Sequence, residues 1–184
     1  MSAIDMQPEE GTLRLMTPGE MAMARRIYGD SIVYSRVWIH CDSYLPFGWQ
    51  HPQFAMTPNG ELWLRKEKYV ADYSKASVSI DLKHLFIHEL AHVWQHQTGR
   101  WVRLRGSFSW AADYTYRLDK EKLTDYSLER QASIIADYWL LTVYGMRTWR
   151  DNQGKELMGN YRGIDHLKDV PALYKKSFMG EGRR

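Results

Sequence analysis

The residues best suited to chemistry in this sequence are His88, Glu89 and His92, which stand in the order HExxH. On an α-helix, residues four positions apart lie about 40° apart around the axis and roughly 6 Å apart along it, so both imidazoles can bind one metal ion. A carboxylate directly after the first histidine lies beside that ion, where it can accept a proton from an activated water. The motif therefore predicts a metal site with Glu89 as general base.

Two further histidines, His84 and His96, continue the same four-residue spacing on either side. Only the pair formed by His88 and His92 encloses a glutamate. Three histidines at successive steps would span about 12 Å, which is too far for one tetrahedral site with bonds of about 2 Å. We therefore interpret His84 and His96 as residues that either support the ligands from outside the metal site or face solvent.

The other side chains of this stretch predict a buried helix. Apolar residues recur at helical spacing on the face opposite the histidines: Leu82, Phe86, Leu90 and Val93, with Ile87 and Trp94 beside them. Asp81 is the predicted N-cap, and Gly99 is predicted to follow the C-cap. One face of the helix therefore belongs to the core and the other to the site.

The length of the chain suits one domain, and we expect an α+β domain over residues 12–178, with flexible ends at 1–11 and 179–184. The 184 residues are 44% hydrophobic, which is ample for a core. The net charge is +3 and the basic residues are scattered, so no nucleic-acid partner is indicated. The single cysteine, Cys41, excludes an internal disulfide and a cysteine-rich metal site, so histidines and carboxylates must hold the metal.

No run of apolar residues is long enough for a transmembrane helix, and the first residues are acidic rather than basic and then apolar. We therefore expect no membrane insertion and no cleaved signal peptide. If the protein leaves the cell, it would do so by a route that needs no such signal.

Several local patterns predict the elements before the histidine helix. Thr17 to Glu20 form a capping box that begins a helix reaching about Tyr28. Residues 32–39 are rich in β-branched and aromatic side chains and predict a strand. Asn59-Gly60 predicts a turn into a short strand at 61–65, which could be an edge strand that binds an extended substrate or an ordinary sheet strand.

A catalytic zinc site usually has three protein ligands, so one ligand must lie elsewhere in the chain. The sequence pattern predicts a helix that begins at Leu128 and ends near Gly145, and its first turn contains Glu129. Small residues on the same face would let this helix approach the histidine helix. Glu129 is therefore the favoured third ligand. The alternatives left open are Asp137 and Asp125, with Asp113 and Asp119 as weaker candidates.

Four stretches together resemble a known family: MTPGE at 16–20, MTPNG at 56–60, IHELAHVWQHQ at 87–97, and the helix containing Glu129. They are similar to the zincin metallopeptidase domain that is fused to, or encoded beside, the valine-glycine repeat spike proteins of bacterial type VI secretion. The similarity runs from about residue 12 to residue 145.

The resemblance implies a zincin-like fold in which the HExxH helix packs against the helix that carries the third ligand. It implies one zinc ion per chain, bound by His88, His92 and Glu129, with Glu89 as the catalytic carboxylate. The implied function is a peptidase effector, an antibacterial toxin delivered to the periplasm of a target cell. Its implied partners are a protein or peptide substrate, a secretion spike and a cognate immunity protein.

The residues themselves leave several points open. Two histidines with a carboxylate also match iron sites, although the HExxH spacing favours zinc. Stabilisation of the oxyanion could come from Tyr126, His96 or His166. Aromatic residues near the site could bind substrate or pack in the core: Trp94, Trp101, Trp110 and Tyr114.

Two alternative functions remain beside the peptidase effector. A nucleic-acid-associated zinc protease would fit the sequence pI of about 8.9 but lacks a basic cluster. A non-catalytic adaptor with a zincin fold would have no need of the base Glu89, so that residue argues against it.

Overall fold

The computed structural model describes residues 9–100, 113–155, 159–163 and 168–179. Its strands and longer helices, in chain order, are β1 (Thr12–Leu15), α1 (Pro18–Tyr28), β2 (Trp38–Cys41), β3 (Leu62–Leu64), α2 (Ile80–Gln97), α3 (Leu128–Asp151) and α4 (Val170–Met179). This content confirms the predicted α+β class. By their contacts, residues 1–83 and 92–104 form one compact unit and residues 84–91 and 105–184 form a second, so α2 contributes to both.

The first unit contains a three-stranded sheet among the described residues, with strand order β1-β2-β3. Strand β1 pairs antiparallel to β2, and β2 pairs parallel to β3. Residues Ile39, Cys41, Leu62 and Leu64 alternate along β2 and β3 and are fully buried, so they form the core face of the sheet. The sequence analysis did not predict β1, a strand of four mostly exposed residues.

The strand predicted at 32–39 is wrong in its position. Residues Tyr34–Arg36 form a 3₁₀ turn, and β2 begins only at Trp38. The turn is held by the Val37 N–H, which donates to the Tyr34 carbonyl, and by the Tyr34 hydroxyl, which donates to the Gly29 carbonyl at 2.7 Å. The apolar residues Ile32, Tyr34 and Val37 are buried without being in a strand. Their composition therefore reflects burial rather than strand geometry.

Strand β3 matches the short strand predicted at 61–65 and lies at an edge of the described sheet. Its outward backbone groups at Trp63 are already paired. The Trp63 N–H donates to the Met56 carbonyl at 2.8 Å, and the Met56 N–H donates to the Trp63 carbonyl at 3.0 Å. The Gln50 amide donates to the same carbonyl. The centre of this strand is therefore closed to an added substrate strand.

Helix α1 begins with the predicted capping box. The Glu20 N–H donates to the Thr17 hydroxyl, and the Thr17 N–H donates to the Glu20 carboxylate at 2.9 Å. Glu20 is fully buried and also accepts two hydrogen bonds at 2.8 Å from the Arg14 guanidinium. One carboxylate thus caps α1 and joins it to β1.

Helix α2 forms as predicted, but its N-cap is Ser79 rather than Asp81, which lies in the first turn. The predicted end is confirmed: Thr98 is the C-cap, and Gly99 follows it with φ +76°, a conformation that suits glycine. The predicted apolar face is also confirmed, since Phe86, Leu90 and Val93 are fully buried.

The second unit contains α3 and α4. Helix α3 departs from helical geometry at Gly145, where the sequence predicted its end, and then continues to Asp151. Its buried face includes Ile134, Trp139 and Leu140. The sequence did not predict α4, whose Tyr174 is fully buried. None of the helices in the described part of the chain combines the length and apolar character that crossing a membrane would require.

Candidate metal centre

His88, His92 and Glu129 lie together, and one potential ligand atom from each lies within 4.8 Å of the other two. The histidines are one turn apart on α2, and Glu129 is in the first turn of α3. The His88 Nε2 atom is 3.4 Å from a Glu129 carboxylate oxygen. Among the described residues, no other group of three histidines, cysteines or carboxylates has this metal-binding geometry.

A hydrogen bond orients His92 for such a site. Its Nδ1 atom lies 2.8 Å from the side-chain oxygen of Gln95, and both residues are buried. Because an amide oxygen only accepts hydrogen bonds, Nδ1 carries the proton in this pair. The lone pair of the neutral ring is then on Nε2, which is the tautomer that a metal ligand needs. Sequence reasoning did not single out Gln95, although its position three residues after His92 places it on the same helix face.

Two more side chains lie close to this cluster. Glu89, the predicted base, is buried on α2 beside His88. The Tyr114 ring centroid is 5.8 Å from that of His88. Burial, together with the negative charges of Glu129 and Glu89, raises the pKa of Tyr114 well above its usual value. The Tyr114 hydroxyl therefore keeps its proton at neutral pH and can donate a hydrogen bond, a role that the sequence did not indicate.

Asp137, the main alternative ligand, lies elsewhere. Its carboxylate is fully buried and accepts hydrogen bonds from His84 Nε2 at 2.8 Å and from the Tyr116 hydroxyl at 2.7 Å. Of the two alternatives predicted for His84, exposure to solvent is excluded, because this residue is buried in the pair with Asp137. His96, by contrast, is exposed as expected.

The other carboxylate candidates are engaged locally. Asp125 accepts the Lys122 N–H at the start of a short 3₁₀ turn. Asp113 accepts hydrogen bonds from Thr115 and Arg130, which lower its pKa to about 2. Asp119 lies beside the Tyr126 hydroxyl. None of these three carboxylates belongs to the metal-type cluster of described residues.

Three of the residues suggested for oxyanion stabilisation or substrate binding have other contacts in the structure. The Tyr126 hydroxyl accepts the Lys120 N–H at 2.9 Å, in a turn before α3. The His96 ring packs over Gly60, so closely that a Cβ at position 60 would lie 2.6 Å from it. The Trp94 ring lies 4.7 Å from the Arg100 guanidinium carbon. Three other candidates, His166, Trp101 and Trp110, lie outside the described residues.

No protein-family model matches this chain. Over 175 residues it is 37% identical to the type VI secretion system spike protein VgrG2b of Pseudomonas aeruginosa; the match covers 91% of this chain but only 16% of that protein's length.

Among solved structures, the chain is similar to the effector domain of Pseudomonas aeruginosa VgrG2b. The TM-score is 0.63 and the sequence identity 33%, and the match covers 86% of this chain and 89% of that domain. Identity and coverage at this level establish common descent over nearly the whole domain. This chain therefore belongs to the family of the VgrG2b effector domain.

Proposed function

We propose that this protein is a zinc-dependent metallopeptidase that acts as an antibacterial effector of type VI secretion. The observation that carries the proposal is the meeting of His88, His92 and Glu129, with the carboxylate of Glu89 next to the first ligand. Two imidazoles, one carboxylate and an adjacent base are the set that zinc peptidases of the HExxH type use.

The residues present suit a zinc ion in three respects. The donor atoms are nitrogen and carboxylate oxygen, which zinc accepts in tetrahedral sites. The hydrogen bond from His92 to Gln95 leaves Nε2 available for the metal. The three ligands leave a fourth position for water or substrate, and the Glu129 side chain is 32% exposed, so solvent reaches this ligand.

When bound, zinc would supply a Lewis acid that polarises the scissile carbonyl and makes a water nucleophilic near neutral pH. Glu89 would take the proton of the attacking water and pass it to the leaving amine. Tyr114, whose hydroxyl stays protonated, would donate a hydrogen bond to the negative charge that develops on the carbonyl oxygen. A peptide in a polypeptide or in a cell-wall stem would meet these requirements.

The family relationship supports the biological setting. VgrG2b is a spike protein, and the domain similar to this chain is its effector domain. We propose that this protein likewise travels with a secretion spike from the bacterial cytoplasm to the periplasm of a target cell. A producing cell would then need an immunity protein against it.

The test combines metal content with activity. Purified wild type, Glu89→Gln and Glu129→Ala would be assayed for zinc by mass spectrometry and for hydrolysis of unfolded casein. Each would also be directed to the periplasm of an indicator bacterium to measure killing. Glu121→Gln, a change at an exposed glutamate outside the site, is the matched control.

We expect one zinc per chain in wild type, Glu89→Gln and the control, and loss of zinc in Glu129→Ala. Activity and killing should fall by about a hundredfold or more in Glu89→Gln, the scale of a lost general base. A Glu89→Gln variant as active and toxic as wild type would refute the proposal and favour a non-catalytic adaptor. Wild type without zinc would refute the metal site itself.

A further inference from the structure

The Asp137 carboxylate is the centre of a buried polar cluster outside the metal site. Four donors converge on it: His84 Nε2 at 2.8 Å, the Tyr116 hydroxyl at 2.7 Å, the Asn160 N–H at 3.1 Å and the Gly159 N–H at 3.3 Å. Both oxygens are used, since His84 and Gly159 bind one and Tyr116 and Asn160 the other. A carboxylate with this many partners is held in one orientation, and it holds its partners in turn.

The donors of this cluster are neighbours of the proposed active-site residues. His84 is one helical turn before His88 on α2, and Asp137 is about two turns after Glu129 on α3. Tyr116 is two residues after Tyr114, in the segment that brings the Tyr114 ring to His88. The cluster therefore contacts the three segments of the second unit that carry His88, Glu129 and Tyr114.

Tyr116 is buried and is held in the cluster by both its hydroxyl and its backbone. Burial raises its pKa well above 10, and the nearby Asp137 carboxylate adds to the effect, so the hydroxyl remains a donor. Its backbone pairs with the strand-like segment at 160–162: the Tyr116 N–H donates to Asn160, and the Arg162 N–H donates to the Tyr116 carbonyl at 2.8 Å. The Tyr116 hydroxyl also contacts that of Tyr174, which accepts the Trp149 ring N–H.

The neighbouring pair of His88 and Glu129 is more exposed than this cluster, with side chains 11% and 32% exposed. Glu129 is half-buried, and its oxygen lies 3.4 Å from His88 Nε2. A carboxylate at the first turn of a helix takes its position from the direction and rotation of that helix. Contacts further along α3 therefore decide whether Glu129 reaches the histidines.

We propose that Asp137 is a positioning residue of the metal centre: by binding His84 and Tyr116 it fixes α3, α2 and the Tyr114 segment so that Glu129 and Tyr114 meet His88. This inference rests on the proposed metal site. The arrangement predicts that loss of either side-chain donor weakens metal binding although neither donor touches the metal.

The experiment uses paired variants of the full chain. His84→Leu removes the donor to Asp137, whereas His84→Gln retains an amide N–H at a similar distance from the backbone. Tyr116→Phe removes only a hydroxyl and is the milder change if His84→Leu folds poorly. Val170→Ala, at a fully buried apolar residue of α4, is the control for a general loss of stability.

Affinity for zinc would be measured by competition with a coloured chelator, at a temperature where all variants are folded. We expect His84→Leu and Tyr116→Phe to bind zinc about tenfold more weakly or worse, the scale of lost supporting contacts at metal sites. His84→Gln should restore most of this affinity, and Val170→Ala should match wild type. The visible spectrum of the cobalt-substituted proteins should change in the weakened variants, since it reports the ligand set.

A second readout needs no metal. Hydrogen exchange of the metal-free proteins should show faster exchange over residues 127–133 in His84→Leu and Tyr116→Phe than in Val170→Ala. If these variants match Val170→Ala in both zinc affinity and exchange, the inference is wrong, although the metal site stands. If wild type binds no zinc, the proposed function fails, and the exchange data alone decide whether Asp137 positions the first turn of α3.

Discussion

Two histidine–carboxylate pairs join α2 to α3, and their histidines are one helical turn apart on α2. The two pairs differ in the distance between their side chains and in their burial. His84 and Asp137 are 2.8 Å apart, with side chains 1% and 0% exposed. His88 and Glu129 are 3.4 Å apart, with side chains 11% and 32% exposed. The first carboxylate is saturated by four donors, whereas the second lies in a cluster suited to a metal. Burial, rather than residue type, separates the structural pair from the candidate metal-binding pair.

The largest contrast should appear in the stability of the metal-free protein. Asp137→Asn leaves buried donors facing an amide N–H₂ and should lower the free energy of unfolding by about 3 kcal/mol, because buried donors then lack acceptors. Glu129→Gln disturbs a partly exposed pair and should change it by about 0–1 kcal/mol. Urea denaturation of both variants with a chelator present measures the difference.

Similar losses in the two variants would show that the pairs do not differ as described. Asp151→Asn, at an exposed carboxylate near the end of α3, is the matched control and should change stability by less than about 0.5 kcal/mol.

A second contrast concerns the support for the metal ligands. Gln95→Leu removes the acceptor for His92 Nδ1 and frees the other tautomer, so zinc affinity should fall about tenfold to a hundredfold. Gln95→Glu keeps an acceptor at the same place and should retain the affinity. Competition with a coloured chelator measures both. Equal affinity in wild type and Gln95→Leu would mean that this hydrogen bond does not orient the ligand.

The smallest expected effect concerns Tyr114. Tyr114→Phe should lower kcat by about tenfold and leave zinc content unchanged. The loss is smaller than that from a donor in a closed oxyanion hole, because the site is partly open to solvent. Steady-state hydrolysis of a fluorogenic peptide gives kcat and KM separately, with the exposed Tyr44→Phe as control. A change in KM alone would assign Tyr114 to substrate binding.

The sequence predicted those parts of the fold whose causes are local. The capping box from Thr17 to Glu20 forms as expected because both of its hydrogen bonds lie within four residues. Gly99 and Gly145 interrupt or end helices because glycine tolerates positive φ. The histidine spacing placed His88 and His92 correctly relative to each other, since helical geometry alone fixes that relation.

What depends on distant contacts could not be predicted in the same way. His84 looked like a polar residue on a helix flank because its partner, Asp137, is 53 residues away. Asp137 competed with Glu129 as a ligand because only the fold reveals its four donors. Strand β2 was placed too early because Ile32, Tyr34 and Val37 are buried in a turn, and burial and strand formation select similar residues.

The long separations around Asp137 also bear on the order of events during synthesis. Its partners include His84, 53 residues before it, and the backbone of Asn160, 23 residues after it. Contacts between such distant residues form late, because the chain entropy lost in closing each loop is recovered only when both ends are present. A chain still on the ribosome cannot complete this cluster before residue 160 has emerged. We therefore expect a newly made chain to lack this buried cluster until that residue has been added.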